Sequence, residues 1–132
     1  AKMNNWYRTY FPEPNWIKIS LRYKASYIGS ILDMKYVKEI KSTITGAHEF
    51  TDEDAITYKL KVLGRGEELF FQLGNTALIC EISARHPMID PRTIQRWDNG
   101  NKISDQERAL ILEKIIELYK RAYKDDLAVF KN

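Results

Sequence analysis

The pattern of apolar residues changes its period along the chain, and this change limits the folds that the sequence can adopt. Apolar and polar residues alternate over residues 15–23 and again over 56–62, which is the period of a strand with one buried face. After Ser104 the apolar residues recur at helical spacing instead. The sequence therefore predicts an α+β domain in which an antiparallel sheet is followed by a short helix and then by a long C-terminal helix packed on the sheet.

Glycine-containing turns divide the strand-like part of the chain into hairpins. Gly64 and Gly66 supply the positive φ angles that a tight connection needs. Residues 69–73 are therefore predicted to pair with residues 56–62. After a second turn, the apolar residues 76–83 are predicted to form a further strand.

Residues 27–45 have a mixed pattern. Some of their apolar residues fit helical spacing, but serine and threonine residues are interspersed among them. We favour additional strand for this region. That interpretation makes the first two thirds of the chain an antiparallel meander.

The last third contains two signals for the start of a helix. Asp90 and the proline that follows it predict a short helix at residues 91–97. Ser104 and Glu107 form a capping box, in which Ser104 accepts from the N–H of Glu107 and the Glu107 side chain reaches back to the N–H of Ser104. These signals predict a long helix over residues 105–123.

Several apolar residues of the last third are expected to complete the core. Trp97 lies one helical turn after Ile94, so we predict that it closes the core between the sheet and the last helix. Leu127, Val129 and Phe130 are expected to fold back on the core as a short terminal segment.

The 132 residues are expected to form a single domain, because 44% of them are apolar and a chain of this length supports one core. No wholly apolar run is longer than the four residues found at 77–80, and such a run is too short to cross a bilayer. Residues 1–5 lack the apolar core of a secretory signal, and we interpret Met3 as the natural start behind two residues left from cloning. A cytoplasmic protein without a membrane partner is the expectation.

The sequence contains little that resembles catalytic or metal-binding chemistry. Its single cysteine, Cys80, lies in an apolar stretch, and His48 and His86 have no second cysteine near them to complete a zinc motif. No Gly-x-Ser-x-Gly motif is present. We therefore predict a protein that is not an enzyme and has no cofactor and no metal site.

Charge is distributed unevenly along the chain. Residues 1–47 carry 8 Lys or Arg against 3 Asp or Glu, whereas residues 48–72 carry 3 against 6. Two candidate binding surfaces follow from this distribution. The first, which we call the acidic loop, consists of Glu49, Asp52, Glu53 and Asp54. The second is the outward face of the strand predicted at 15–23, and consists of Trp16, Lys18 and Arg22.

Residues 89–97, 103–108 and 111–115 resemble the C-terminal signature of small immunity proteins from bacterial toxin and immunity systems, such as those of contact-dependent growth inhibition. The resemblance covers about 40 of the 132 residues. A proline that the family often has shortly after the tryptophan is absent here. The resemblance implies packing roles for four residues, namely Ile94, Trp97, Ile103 and Ile115.

The same resemblance implies a function. An immunity protein neutralises its cognate toxin by forming a tight protein–protein complex with it. If the toxin is a basic nuclease, we expect the acidic loop to make the contact; if the toxin is acidic, we expect the face with Trp16, Lys18 and Arg22 to make it.

An alternative interpretation is a helix-turn-helix DNA-binding regulator. Residues 91–97 resemble a recognition helix, on which Arg92, Gln95 and Arg96 would contact DNA. Pro87 would interrupt the helix that precedes it, and the upstream sequence alternates like strands. The net charge of +3 is also too small to indicate nucleic-acid binding by itself, so we do not expect nucleic acid as the partner.

Overall fold

Two helices and six strands make up the described part of the chain. The computed structural model describes residues 26–131, with side chains from residue 34 onward. In chain order the elements are α1 (Ser26–Thr43), β1 (His48–Thr51), β2 (Thr57–Leu63), β3 (Glu68–Leu73), β4 (Thr76–Ser83), β5 (Met88–Ile89), a 3₁₀ turn (Pro91–Thr93), α2 (Asp105–Tyr123) and β6 (Ala128–Val129). This is an α+β architecture, as the sequence predicts.

The six strands form one sheet whose order follows the sequence. Strands β1 to β5 pair antiparallel, and Tyr58 of β2 lies between Phe50 of β1 and Leu73 of β3. β6 pairs with β5 in parallel. The sequence predicts antiparallel pairing throughout, and the structure adds this one parallel pair because the chain passes through α2 before it returns to the sheet.

The strands predicted at 56–62, 69–73 and 76–83 are confirmed as β2, β3 and β4, with end points that agree to within one residue. The turn between β2 and β3 has the expected positive φ angles, +60° at Gly64 and +89° at Gly66. A Cβ atom at Gly66 would lie 3.0 Å from the Cβ atom of Ala84. Position 66 therefore requires glycine for both its conformation and its close packing.

Both faces of the sheet are covered by a helix. Along β3, Leu69 and Phe71 point to the side of α2, whereas Phe70 points to the side of α1. Among the described side chains, the α2 side holds the larger core, which contains Trp97 and also Leu60, Leu78, Ile82, Ile111, Ile115 and Leu118. Coverage on both faces explains why β3 and β4 contain continuous apolar runs rather than strict alternation.

The strand predicted within residues 27–45 is wrong, because this region forms helix α1. Val37, Ile40 and Ile44 recur at the spacing of one helix face, and they pack on the α1 side of the sheet near Phe70. Among the described side chains, the apolar residues of this region therefore follow helical rather than strand spacing.

The polar residues that obscured this helix in the sequence are accommodated at its C-terminal end. The hydroxyls of Ser42 and Thr43 both donate to the carbonyl of Glu39, at 2.9 and 2.8 Å. Such local bonds let serine and threonine occupy the last turn of a helix without disrupting it.

Helix α2 has the predicted bounds, and one of the two hydrogen bonds predicted for its capping box is present. The Oγ atom of Ser104 accepts from the N–H of Glu107 at 3.1 Å, as expected. The Glu107 carboxylate does not follow the prediction, since it accepts from the indole N–H of Trp97 at 3.4 Å. Glu107 therefore connects α2 to the segment before it.

The short helix predicted at 91–97 is restricted to the 3₁₀ turn Pro91–Thr93. Its cap is confirmed, because Asp90 accepts from the N–H of Arg92 at 3.1 Å. The chain then extends, and the N–H of Trp97 donates to the carbonyl of Asn101, so the backbone pairs across a turn instead of continuing a helix. Trp97 is 6% exposed and contacts the α2-side core, as predicted.

Asp98 follows Trp97 and attaches this segment to the rest of the fold. Its side chain is 2% exposed, and its Oδ1 atom accepts from the N–H of Ala77 at 3.0 Å. Its carboxylate also forms an ion pair with Lys41 of α1. Burial raises the pKa of Asp98, but the bonds from Lys41 and Ala77 outweigh burial and leave the pKa below its usual value.

The predicted return of the C-terminal segment to the core is confirmed. Leu127 is buried in the α2-side core, and the N–H of Phe130 donates to the carbonyl of Ile89 at 2.9 Å. Within residues 26–131, neither helix combines the length and the apolar character that crossing a bilayer requires.

Candidate protein-binding surface

The four residues of the acidic loop do not all lie in one loop. Glu49 is part of strand β1, directly across from Lys59 of β2. Its neighbour Phe50 packs on the α2 side, so the alternation of a strand places Glu49 on the opposite side. The structure therefore separates Glu49 from the other three acidic residues and gives it a cross-strand neighbour of opposite charge.

Asp52 organises the turn between β1 and β2. Its Oδ1 atom accepts from the N–H groups of Asp54 and Ile56 at 2.9 and 3.0 Å, and its Oδ2 atom accepts from the Tyr58 hydroxyl at 3.0 Å. The N–H of Ile56 lowers the pKa of Asp52 most, against a smaller opposing contribution from desolvation. The sequence analysis treated Asp52 as a surface charge, whereas its carboxylate is largely used within the turn.

The same turn contains a strained residue. Ala55 has a φ angle of +62°, in the left-handed region that a residue with a side chain rarely adopts. Its N–H donates to the carbonyl of Asp52 at 3.1 Å. The bonds to Asp52 thus fix one conformation of a five-residue tip that exposes Glu53 and Asp54.

Helix α2 supports this tip from one side. The Lys114 Nζ atom lies 5.2 Å from the centre of the Tyr58 ring, and the Arg121 guanidinium lies 4.7 Å from the centre of the Phe50 ring. The hydroxyl of Tyr123 accepts from the N–H of Val62 at 2.9 Å. Cation–π contacts and a hydrogen bond therefore hold the β1–β2 hairpin against α2.

This packing adds a residue to the acidic surface that the sequence analysis missed. Burial raises the pKa of Tyr58, and so does its hydrogen bond to Asp52. The negative charges of Glu117 and Asp54 raise this pKa further. Glu117 is placed beside the turn by Lys114, whose Nζ atom lies 3.5 Å from the Glu117 carboxylate and 5.2 Å from the centre of the Tyr58 ring. We call the resulting surface, made of Asp52, Glu53, Asp54 and Glu117, the acidic corner.

Glu117 could have been found from its spacing on the helix. It lies three residues after Lys114, with 3.5 Å between the Lys114 Nζ atom and the Glu117 Oε2 atom. Leu110, four residues before Lys114, shares this outward side and is 68% exposed. A leucine on the polar side of an amphipathic helix is a signal that the sequence analysis did not use.

A separate acidic group lies on the α1 side of the sheet. Glu81 is largely buried on β4, directly across from Glu68, which accepts from the Tyr36 hydroxyl at 3.0 Å. Burial, together with the negative charge of Asp90, raises the pKa of Glu81 to about 8. Asp90 is itself fully buried and bonds to the Arg92 guanidinium at 3.1 and 3.2 Å.

The second candidate surface, Trp16, Lys18 and Arg22, lies outside the described residues, and so does the strand predicted at 15–23. The alternative DNA-binding segment is described. Residues 91–97 do not form the α-helix that a recognition helix requires, because only Pro91–Thr93 is helical, as a 3₁₀ turn.

The side chains of that segment also have partners within the protein. The Arg92 guanidinium is bonded to Asp90 and lies 5.4 Å from the centre of the Phe130 ring. The Gln95 side chain donates to the carbonyl of Arg92 at 3.0 Å. These contacts give Arg92 and Gln95 a structural role.

The residues considered for chemistry are placed as follows. Cys80 is 1% exposed inside the α2-side core, and burial raises the pKa of its thiol. His86 lies exposed in the turn that follows β4. No group of three or more metal-binding side chains is found among residues 26–131.

Comparison with known proteins yields no match: no family model, no curated protein and no solved structure is similar to the chain. The resemblance of residues 89–115 to immunity proteins therefore rests on the sequence pattern alone. The acidic corner is the candidate binding surface among the described residues.

Proposed function

We propose that this protein is a cytoplasmic immunity protein that neutralises a cognate bacterial toxin domain by binding it in a tight complex. The observation that carries the proposal is the acidic corner, in which acidic side chains are presented by a turn of fixed conformation. A surface that is ordered before binding loses less conformational entropy when the complex forms.

Charge complementarity indicates the kind of partner. Negative surfaces attract positively charged partners and accelerate their association. Toxins that cleave nucleic acids are commonly basic, because their substrate is a polyanion. A basic nuclease toxin is therefore the partner that fits the acidic corner best.

The residues that carry the family resemblance support this proposal in a limited way. The resemblance implies packing roles, and all four residues are buried: Ile94, Trp97, Ile103 and Ile115. Ser104 also caps α2 as its capping box predicts. The segment thus has the structural role expected of it in an immunity protein.

Co-expression with the product of the adjacent upstream open reading frame tests the proposal. We expect the upstream product alone to arrest growth, and the pair to grow and to co-purify as a one-to-one complex. A growth test and a pull-down measure these outcomes. Failure of the wild-type protein both to protect and to bind would rule out the immunity function.

A matched pair of variants tests the surface. The first replaces Glu53, Asp54 and Glu117 with lysine and leaves Asp52 unchanged, because the turn depends on it. The control makes the same charge change at three other exposed positions: Glu39→Lys, Glu67→Lys and Asp125→Lys. We expect only the first variant to lose protection, mainly through slower association.

The other surface predicts a different result. If the partner is acidic, reversal of Lys18 and Arg22 should abolish protection, and reversal of the acidic corner should leave it unchanged. Glu49→Lys serves as a further control. Because Glu49 is separated from the acidic corner, this substitution alone should have little effect on protection.

A further inference from the structure

We propose that Leu110 is the apolar anchor of the same binding surface and inserts into an apolar pocket of a basic partner. This inference rests on the proposed function and names the chemistry of the partner at this site. Among the described side chains, Leu110 is the most exposed large apolar residue, at 68% compared with 39% for Tyr36 and for Ile56.

The fold does not account for a leucine at this position. α2 packs on the sheet through Ile111, Ile115 and Leu118, which point inward. Leu110 belongs to the outward side, where glutamate or lysine would support the helix about as well as leucine does. The Leu110 side chain therefore adds no buried apolar contact to the core.

The location of Leu110 connects it with the acidic corner. Residues four apart on a helix are neighbours on its surface, so Leu110 lies one turn from Lys114. Lys114 contacts the Tyr58 ring and influences the Asp52 carboxylate. Leu110 thus borders the acidic corner on the same side of the molecule.

The charges around Leu110 indicate the chemistry of the partner surface that would bind it. Glu113 is exposed one turn further along α2, and the charge of Lys114 is directed to Glu117 and Tyr58. An apolar side chain with an acidic surround fits a pocket with a basic rim. This arrangement matches the usual organisation of interfaces, in which a central anchor is surrounded by polar contacts that exclude water.

Binding kinetics with the product of the adjacent upstream open reading frame test the inference. Leu110→Ser should raise Kd at least about tenfold through faster dissociation, with little change in the association rate or its salt dependence. Leu110→Met should retain binding. The control is Ala109→Ser, which introduces the same residue at the neighbouring exposed position and should leave Kd unchanged. All variants should fold cooperatively, and the two serine variants should show only the small and similar loss of stability that serine causes in a helix.

The outcomes separate this inference from the proposed function. If Leu110→Ser dissociates as slowly as the wild type while the lysine variant of the acidic corner binds weakly, the anchor is wrong and the immunity function stands. If the wild type forms no complex, both are wrong. If the wild type self-associates in sedimentation and Leu110→Ser abolishes this, Leu110 belongs to a contact between copies and the inference is overturned.

Discussion

The two faces of the sheet are held by different kinds of interaction. On the α2 side, large apolar residues from the strands, from α2 and from the segment around Trp97 form one continuous core. On the α1 side, where side chains are described from residue 34 onward, a smaller apolar cluster forms around Val37, Phe70 and Ala77. Polar bonds add to it, including the ion pair of Lys41 with Asp98 and the bond of Tyr36 to Glu68.

This difference shows how the molecule divides its stability. Burial of apolar area is the dominant favourable contribution to folding, and among the described side chains most of it lies on the α2 side. On the α1 side, polar bonds such as the ion pair of Lys41 with Asp98 position helix α1, and this ion pair requires an ionised Asp98 carboxylate. Variants of the two sides should therefore respond differently to mutation and to pH.

The largest effect is expected for Trp97→Ala on the α2 side. Truncation of a buried tryptophan leaves a cavity between β3 and α2, and it should lower the free energy of unfolding by about 3–5 kcal/mol. Urea unfolding followed by circular dichroism measures this loss. Ile40→Ala on the α1 side is the comparison and should cost clearly less. Equal losses would mean that the two faces do not differ as described.

The next effect is a pH dependence that originates on the α1 side. Because burial raises the pKa of Glu81 to about 8, the folded state favours its protonated form. Its contribution to stability is complete below the unfolded pKa, near 4.5, and is lost as the pH rises through 8. We expect a decrease on the order of 3 kcal/mol between pH 5 and pH 8.5. Glu81→Gln should remove this decrease, and a persistent decrease would assign it to another group.

Substitution of Asp98 should have a smaller effect. Asp98→Ala removes both the ion pair with Lys41 and the acceptor for the Ala77 N–H, and should cost about 1–3 kcal/mol. Asp98→Asn keeps an acceptor and should cost less. Because the pKa of Asp98 is lowered, its contribution is present above about pH 4 and is lost below it. Thermal unfolding at pH 7 and pH 3 checks both the size and the direction.

The smallest effect is expected for the cap of α2. Ser104→Ala removes the acceptor for the Glu107 N–H and should cost about 1 kcal/mol. Partner binding should be unchanged, because the effect is on stability. Loss of binding at an unchanged unfolding midpoint would show that Ser104 belongs to the binding surface.

The strands and α2 were predictable because their signals are local. β2 alternates apolar and polar residues, β3 and β4 are bounded by glycine turns, and α2 follows a cap and an apolar stripe. α1 was not predictable in this way, since its described apolar residues face the sheet through contact with Phe70 on a distant strand.

The candidate site was predictable only in part. The density of acidic residues identified Glu53 and Asp54, but the sequence did not show that Asp52 is used within the turn or that Glu49 points to the other side. Glu117 joins the corner only because α2 packs against the β1–β2 hairpin. Such contacts connect residues about 60 positions apart and leave no local pattern.

The residues of the β1–β2 turn divide into those that hold its conformation and those that set its charge. The Asp52 carboxylate accepts three hydrogen bonds, and the Asp52 carbonyl accepts from the N–H of the strained Ala55, so few substitutions are tolerated there. Glu53 and Asp54 are exposed, and a single substitution can change their charge without disturbing the backbone. If the acidic corner binds a partner as proposed, partner preference can shift by one mutation at a time while the backbone that presents these side chains keeps its conformation.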